Sequence, residues 1–456
     1  MKAIGLIRYD VEDYVTTESH DALQAILTAM HQNGVPGSYG LVGKKAEALW
    51  RDGYAETLAS LRQEPALGFH SWSHSEHPTI AEQLEHLSFE AAVDAFVERE
   101  AKGVSMVADA IRPPEYFTQP GANWVPAAVE ALPKLGMDIF FSDAWNSYIV
   151  PLAEPYWLGS ILHLSPPVMT PKPFLLKFPD NWTKAVESLD QAATLYQGGK
   201  IFMVMAHPTE LVTTKFWDAV NFGHGATALA LRSAPLRSRT ERDNTLRAFG
   251  QYLSLARHHH DIEWLDVMEL KHRLLPLGPV AANPHAWLPA MALGLGPAIV
   301  ERQSLSAAQQ VYLLATMSAT DAVPSSVIIP VIQAPWNWAP PIEDRHMNPM
   351  PKNAVRRGGK WVREHVDRFG RLPSQVPWEH GQWPIEDFAG YALSMLQHQD
   401  EEWISPLRLP LQFLNYVQEP SRLHWDWPIF STDFRPFRLW QQTLSVVWSL
   451  KRACWR

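Results

Sequence analysis

Short apolar runs alternate with longer amphipathic segments over roughly the first 275 residues of the chain. The apolar runs at 3–9, 35–42, 66–69, 137–141, 201–206 and 262–267 predict strands, and 158–164 is a further candidate strand. The segments 20–33, 44–62, 79–108, 125–135, 182–197 and 240–256 are predicted as helices, the first from apolar residues at helical spacing. Strands that alternate with helices indicate an α/β fold with a parallel sheet or a (β/α) barrel.

Residues able to carry chemistry follow several of the predicted strands. The first strand runs into the acidic cluster of Asp10, Glu12 and Asp13, and the third runs into His70. In parallel α/β folds the active residues gather at the carboxyl ends of the strands. We therefore expect these side chains at one edge of the sheet.

The histidine pair His70 and His74 is the strongest single signal for a metal ion. On a helical turn their spacing of four places both imidazoles on one face, close enough to share an ion. Gly68 and Pro78 bracket the stretch, so we expect it at a strand end that runs into a short turn. Two histidines with one carboxylate leave positions for water, which is typical of a catalytic zinc site.

The acidic cluster offers two candidates for the carboxylate. Residues two apart in a strand share a face, so Asp10 and Glu12 can both point at one ion. Asp13 faces away unless the strand has already ended. Glu12 is the preferred ligand, and Asp13 is the alternative.

The composition narrows the class of protein. A chain of 456 residues with 46% hydrophobic and 19% charged residues is typical of a globular protein with two or three domains. The formal net charge of −9 argues against a nucleic-acid partner. A single cysteine excludes a disulfide framework within the chain. The 20 tryptophans suit either a large core or flat platforms for sugar rings.

The pattern also predicts a location and a division into domains. No secretory leader and no apolar stretch of about 18 residues is visible, so we expect a cytoplasmic protein, or one on a membrane surface. Prolines and tryptophans become dense after residue 275, where the alternation stops. We predict a barrel domain at 1–275, a linker at 276–289 and a mainly helical accessory domain at 290–456. The sequence leaves 397–456 unassigned apart from a helix at 437–450.

Two helices of the accessory domain are followed by similar short motifs, Val323-Pro-Ser-Ser-Val327 and Leu372-Pro-Ser-Gln-Val376. This degenerate repeat resembles the pseudomurein-binding repeat, which implies a module that binds a cell-wall glycan. The alternative is a helical appendage that packs on the barrel.

Five motifs occur in order along the first domain. They are Asp10-Val-Glu12-Asp13-Tyr14, His70-Ser-Trp-Ser-His74, Arg112-Pro-Pro, Asp143-Ala-Trp145 and Met203-Val-Met-Ala-His207. Together they resemble the motifs of the polysaccharide deacetylases of the NodB-homology group, carbohydrate esterase family four, over residues 3–272. The resemblance implies a distorted (β/α) barrel of about seven strands. It departs from the family in the first motif, where Val11 separates the two acids.

The resemblance also implies a role for residues of each motif. One divalent ion, expected to be zinc, would be held by Glu12, His70 and His74. Asp10 would be the general base, paired with Arg112, and His207 would protonate the departing amine with its ring held by Asp143. Tyr116 and Trp145 would form walls against a sugar ring. Arg112 has the alternative of a structural ion pair, His207 of a buried structural histidine, and Asp143 of a helix N-cap.

The predicted function is metal-dependent hydrolysis of an N-acetyl group on an amino sugar of a cell-envelope glycan or its lipid-linked precursor. Two alternatives remain: a catalytically silent glycan-binding protein with this fold, and a metal-dependent hydrolase of a non-sugar amide. The segment 209–224 would be a lid or a substrate wall beside the site, or else a packing element. The sequence does not decide the oligomeric state.

Overall fold

The computed structural model describes residues 1–121, 123–142, 148–150, 152–169, 182–320, 323–341, 347–420 and 427–456. Asp143 and Trp145 lie outside the described residues. Among the described helices, none is both long enough and apolar enough to cross a bilayer.

The first 275 residues contain the following elements. The strands are β1 (Ala3–Val11), β2 (Ser38–Leu41), β3 (Leu67–Phe69), β4 (Tyr116–Thr118), β5 (Ile139–Phe141), β6 (Leu152–Leu158), β7 (Ile161–Ser165), β8 (Ile201–Ala206), β9 (Phe222–Gly223), β10 (Ala226–Thr227) and β11 (Ile262–Leu265). The helices are α1 (Glu18–Asn33), α2 (Gly43–Arg51), α3 (Ala55–Gln63), α4 (Ile80–Leu84), α5 (Phe89–Ala110), α6 (Ala128–Lys134), α7 (Trp182–Leu195), α8 (Thr209–Val212), α9 (Trp217–Asn221), α10 (Arg239–His258) and α11 (Val267–His272).

Parallel strands of this region form a curled, barrel-like sheet. β1, β2, β3, β4, β5 and β7 pair in that order, and β8 pairs with β1 on its other side. The gap between β7 and β8 is closed just after β7, where Met203 exchanges backbone hydrogen bonds with Pro167 and Met169. This arrangement confirms the predicted distorted (β/α) barrel.

The alternation of side chains along β1 separates two parts of the core. Ile4 and Leu6 point into the barrel, where they meet side chains from β5, β7 and β8. Ile7 and Tyr9 point outward and belong to the cluster that packs the helices on the sheet. Because successive side chains of a strand alternate between faces, the even-numbered positions Arg8 and Asp10 continue the inward face toward the barrel mouth.

The remaining chain contains further short strands and five helices among the described residues. The strands are β12 (Val280–Ala282), β13 (Ala298–Val300), β14 (Gln303–Leu305), β15 (Val327–Ile329), β16 (Met350–Pro351), β17 (Gln375–Trp378), β18 (Gly381–Pro384), β19 (Trp403–Ile404) and β20 (Leu450–Arg452). The helices are α12 (Pro284–Ala292), α13 (Ala307–Ser318), α14 (Lys352–Phe369), α15 (Ile385–Gln397) and α16 (Phe437–Val446), with 3₁₀ turns at Gln412–Tyr416 and Val447–Ser449.

The end of the chain returns to the barrel. β20 pairs antiparallel with β6, which in turn pairs with β7. The predicted helix at 437–450 therefore ends at Val446, and its last residues form a 3₁₀ turn and β20 instead. The predicted linker 276–289 contains β12 and the first part of α12. The structure thus joins the accessory region to the barrel through backbone pairing as well as side chains.

Candidate active site

The loop after β3, rather than a helical turn, brings His70 and His74 together. Residues 70–75 form a loop in which Ser71 and His74 adopt left-handed backbone conformations, with φ of 67° and 55°. The Ser71 hydroxyl accepts a hydrogen bond from the backbone N–H of His74 at 2.9 Å. The ring centroids of His70 and His74 lie 4.9 Å apart, and the stretch does lie at a strand end, as expected.

Glu12 completes a group of three potential metal ligands at the mouth of the barrel. One atom each from Glu12, His70 and His74 lies within 4.8 Å of the other two, and all three residues are buried. Glu12 Oε2 lies 2.8 Å from Nε2 of His74 and 3.5 Å from Nε2 of His70. Two imidazoles and one carboxylate are a donor set that suits a divalent transition metal.

The orientation of both rings fits a metal ligand. Nδ1 of His70 lies 2.6 Å from the Thr118 hydroxyl and 3.2 Å from the Thr118 carbonyl oxygen. Nδ1 of His74 lies 2.7 Å from the Ser75 hydroxyl, which donates to Asp218 at 2.8 Å. The Nε2 atoms of His70 and His74 are both buried. Within the described residues, neither atom makes a hydrogen bond of good geometry. Such outer partners fix the tautomer that leaves Nε2 free for an ion.

Asp13, the alternative ligand, is occupied by the backbone. Its Oδ1 accepts hydrogen bonds from the backbone N–H groups of Val15 and Thr16 at 3.0 and 2.8 Å. Its Oδ2 accepts from the Thr209 hydroxyl at 2.6 Å. Asp13 therefore fixes the turn after β1, and the structure brings Glu12 rather than Asp13 to the histidine pair.

Asp10 is paired with Arg8, not with Arg112 as the sequence analysis expected. Arg8 donates to both carboxylate oxygens of Asp10, from Nε and Nη2, at 2.7 Å each. Arg8 also donates to the carbonyl oxygens of Gln119 at 2.9 Å and Phe141 at 3.3 Å. Burial alone would raise the Asp10 pKa, but Arg8 and the nearby imidazoles outweigh it, so the pKa of this carboxyl is lowered.

Arg112 lies at the opposite end of the barrel, which is why the expected pair is wrong. It precedes β4, at the amino ends of the strands, and donates to Glu115 at 2.7 Å and to the carbonyl oxygen of Glu64 at 2.9 Å. These contacts match the alternative for Arg112, which was a structural ion pair. A signal for Arg8 was present in the sequence, because a charged residue on the inward face of a buried strand requires a partner.

His207 ends β8 at the same mouth as the three potential ligands. Its Nε2 lies 3.8 Å from Oδ2 of Asp10, and its Nδ1 lies 3.3 Å from Oε2 of Glu210. Burial would lower the pKa of His207, but Glu12, Glu210 and Asp10 outweigh it, so the pKa is raised. Glu210, in the first turn of α8, was missed by the sequence analysis, which assigned the orienting role to Asp143.

Tyr116 does not form a wall for a substrate, so this expectation is wrong. It is fully buried inside the barrel, where its ring lies against Gly68. A Cβ atom on Gly68 would lie 2.2 Å from the Tyr116 ring, so only glycine fits there. Tyr116 therefore fills the barrel below the site.

The segment 209–224 supports the site from the side. Trp217 is fully buried and donates from its indole N–H to Oε1 of Glu12 at 2.7 Å. Asp218, beside it, lies 3.5 Å from Nδ1 of His74. The Phe216 ring meets the His207 ring edge to face, at 4.8 Å between centroids. Trp217 and Asp218 were not predicted, because their partners lie more than 140 residues away in sequence.

The accessory region also reaches this segment. The backbone N–H groups of His224 and Gly225 donate to the carbonyl oxygens of Pro428 and Ile429 at 2.8 Å. The Trp427 ring lies 6.0 Å from the Phe216 ring, in an edge-to-face arrangement. A residue from the end of the chain thus lies next to the aromatic ring that contacts His207.

No protein-family model and no curated protein matches this sequence. The solved structures similar to it include a protein assigned as a polysaccharide deacetylase from Mycobacterium smegmatis, with 14% identity, a TM-score of 0.37 and coverage of 60% of this chain and 93% of that chain. A carbohydrate esterase family four pseudoenzyme from Bacillus anthracis has 12% identity, a TM-score of 0.30 and coverage of 59% and 65%.

A third similar structure is the family-four esterase domain of a multidomain xylanase from the hindgut metagenome of Trinervitermes trinervoides. It has 10% identity, a TM-score of 0.31 and coverage of 60% of this chain and 94% of that chain. All three are described as polysaccharide deacetylases or as members of carbohydrate esterase family four, the group whose motifs this sequence resembles. Because each TM-score is below 0.5, the case for a function depends on the residues of the site itself.

Proposed function

We propose that this protein is a metal-dependent deacetylase that hydrolyses the N-acetyl group of an amino sugar in a glycan. One observation carries the proposal: two histidines and one carboxylate with the geometry of metal ligands face the same barrel mouth as a buried acid and a third histidine. The acid is Asp10, and the histidine is His207. Hydrolysis of an amide needs these functions together, because the carbonyl is a poor electrophile and the amine is a poor leaving group.

The metal site of the proposal consists of Glu12, His70 and His74, with zinc as the expected ion. A divalent ion there supplies Lewis acidity, which polarises a carbonyl and lowers the pKa of bound water from about 15.7 toward about 7. The chain contributes the order of the site, because Thr118, Ser75 and Trp217 each hold one ligand in place. Their hydrogen bonds fix the ligands before an ion binds.

Asp10 is the proposed general base. Its Oδ2 lies 3.9 Å from Nε2 of His70 and 3.8 Å from Nε2 of His207, so it faces the space between the metal ligands and the proposed acid. Arg8 keeps this carboxyl ionised and fixes its plane through two hydrogen bonds. An ionised, oriented carboxylate can accept the proton of an attacking water.

His207 is the proposed general acid. The carboxylates around it favour the imidazolium form, as the direction of its pKa shift indicates. Glu210 holds its Nδ1 side, which directs Nε2 toward Asp10. A protonated Nε2 at that position can donate to the nitrogen of the departing amine.

Phe216 and Trp427 support the choice of a sugar. Both rings are only partly buried, and Phe216 contacts the proposed acid. The indole N–H of Trp427 is buried and has no hydrogen-bond partner among the described residues. Partly exposed aromatic rings offer flat apolar faces, which suit the apolar face of a sugar ring. Within this proposal the amino sugar belongs to a cell-envelope glycan or its lipid-linked precursor.

The test combines metal analysis with acetate release. The purified protein should bind close to one equivalent of zinc and release acetate from N-acetylglucosamine oligomers. Asp10→Asn should bind the metal and release no acetate. If the metal-loaded protein binds the oligomers and releases none, the silent glycan-binding alternative replaces the proposal, and activity confined to non-sugar N-acetyl amides would favour the other hydrolase.

A further inference from the structure

A second pocket lies at the junction of the barrel and the accessory region, away from the proposed active site. Its cavity of about 310 Å³ is lined in part by Trp157 of β6, by Leu275 and Pro276, and by residues 278–281. The β13–β14 turn and β20 also line it. Leu275 follows α11, whose Lys271 pairs with Asp138 just before β5, so the pocket lies on the side of the amino ends of the strands.

Two polar side chains of this pocket, each more than nine-tenths buried, have no partner among the described residues. Lys451 is 7% exposed, and within the described residues its ammonium group makes no hydrogen bond or ion pair. The hydroxyl of Ser304, which is 8% exposed, also lacks a hydrogen-bond partner in the described part of the chain. A lysine whose side chain is mostly buried usually has an anionic partner, so an ammonium that opens to this pocket without one indicates a ligand that the described part of the chain does not supply.

The charge of the lining identifies the kind of partner. Arg302, Lys451 and Arg452 line the pocket, and none of the described lining residues is an aspartate or a glutamate. Arg452 lies 3.5 Å from Glu154, an exposed pair that leaves the buried lysine unmatched. Burial lowers the pKa of Lys451 to about 8, although the Cys454 thiol opposes this shift. The lining of this pocket is therefore positively charged, whereas the whole chain has a formal net charge of −9.

We propose that this pocket binds the phosphate group of a phosphate ester, with Lys451, Ser304 and the two arginines as its donors. A phosphate carries up to two negative charges and several acceptor oxygens, which matches two guanidinium groups, one ammonium and one hydroxyl. The apolar lining from Trp157, Leu275 and Pro279 provides a surface for the organic part of an ester. The site is independent of the deacetylase proposal, because it shares no residue with the metal site.

The test measures binding by calorimetry and by thermal unfolding, with inorganic phosphate and glycerol 3-phosphate as probes at matched ionic strength. The wild-type protein should bind at least one of them and unfold at a higher temperature in its presence. Lys451→Met should weaken binding at least about tenfold. It should also raise the unfolding temperature of the ligand-free protein, since the unpaired charge is gone. Tighter binding of glycerol 3-phosphate would support an ester as the ligand, whereas tighter binding of inorganic phosphate would overturn the ester in favour of the free ion.

Two controls keep the test decisive. Lys360→Met removes an exposed lysine of α14 outside the pocket and should leave phosphate binding unchanged. Ser304→Ala should weaken phosphate binding without removing a charge. This variant replaces Lys451→Met in the binding test if Lys451→Met does not fold. The proposal is overturned if the wild-type protein binds neither probe, or if both pocket variants bind as tightly as the wild type.

Discussion

Arg8 and Asp10, two residues apart on β1, form a buried bidentate ion pair in which both bonds measure 2.7 Å. The two side chains meet because they occupy the same inward face of one strand. The positive charge beside the proposed base therefore comes from the strand that carries the base. Arg112, which the motif resemblance assigned to this role, lies at the far end of the barrel. There it donates to Glu115 and to the carbonyl oxygen of Glu64.

Arg8→Met should inactivate the protein and destabilise it. The substitution leaves the buried Asp10 carboxylate without its cation, which typically costs about 3–5 kcal/mol of unfolding free energy. Arg112→Met removes a partly exposed pair, so its cost should stay within about 1 kcal/mol, with acetate release retained. Urea unfolding and acetate release measure both effects. Equal loss of activity in the two variants would show that the pairing with Asp10 does not explain the requirement for arginine.

Asp10→Asn and Glu12→Gln should separate the proposed base from the proposed ligand. Asp10→Asn keeps the shape of the side chain but cannot take a proton, so turnover should fall at least about a hundredfold with metal retained. Glu12→Gln removes the charged ligand and should lower the metal content of the dialysed protein. Elemental analysis and acetate release measure the two effects. Loss of metal from Asp10→Asn alone would reverse the two assignments.

Trp217→Phe should weaken metal binding although Trp217 is not a ligand. Its indole N–H holds Glu12 Oε1 at 2.7 Å, and the loss of such an outer hydrogen bond typically costs about 10–100-fold in metal affinity. Competition with a chromogenic zinc chelator measures the change. Trp264→Phe is the matched control, since it also loses a 2.7 Å indole hydrogen bond, to the carbonyl oxygen of Ala256 outside the metal site. If both variants lose metal equally, general destabilisation explains the effect.

The sequence predicted the parts of the site that lie at strand ends and missed the parts that depend on distant contacts. The apolar run before Asp10 and the strand that ends at His207 were enough to place both residues at one edge of a barrel. Arg8 was missed because the motif Arg112-Pro-Pro offered another arginine. Glu210, Trp217 and Asp218 lie in a segment without periodicity, and only the folded chain shows that they contact His207, Glu12 and His74 respectively.

The strands that were missed have a similar cause. β4 has three residues and follows a proline-rich stretch, and β6 contains Pro155, so neither has the long apolar run that marks a strand. β20 also has three residues, and it becomes a strand only through its pairing with β6. Tertiary pairing, rather than local preference, determines such short elements.

Trp448→Ala tests whether the end of the chain is part of the barrel fold. Trp448 is fully buried, and its ring lies 4.5 Å from Phe413 and 5.3 Å from Trp338, just before β20. Loss of this side chain should cost about 3–5 kcal/mol. Trp403, which is 61% exposed, provides the control, and Trp403→Ala should cost less than about 1 kcal/mol. A single unfolding transition that shifts as a whole in Trp448→Ala is expected, whereas a separate early transition would show that the accessory region unfolds on its own.

Glu100→Gln should change how the stability of the protein depends on pH. Glu100 of α5 is fully buried, and its carboxylate accepts hydrogen bonds from the backbone N–H of Trp72 at 2.6 Å and from Arg99 at 3.1 Å. Burial raises its pKa to about 7, although Arg99 and the Trp72 bond oppose the shift. Between the ordinary value of 4.5 and about 7, the folded state holds a proton that the unfolded state has released. The stability contributed by this proton is present below pH 4.5 and is lost as the pH rises toward 7.

The size of the effect follows from the shift, since about 2.5 pKa units correspond to about 3 kcal/mol. Glu100→Gln removes the charge and keeps an acceptor for the Trp72 N–H, so it should flatten the decline in stability between about pH 5 and 7. At pH 8 it should be more stable than the wild type, with the metal content unchanged. Denaturant unfolding at several pH values measures this, and Glu98→Gln, at an exposed position of the same helix, is the control. If wild type and Glu100→Gln show the same slope across this range, Glu100 is already ionised in the folded protein and another group causes the decline.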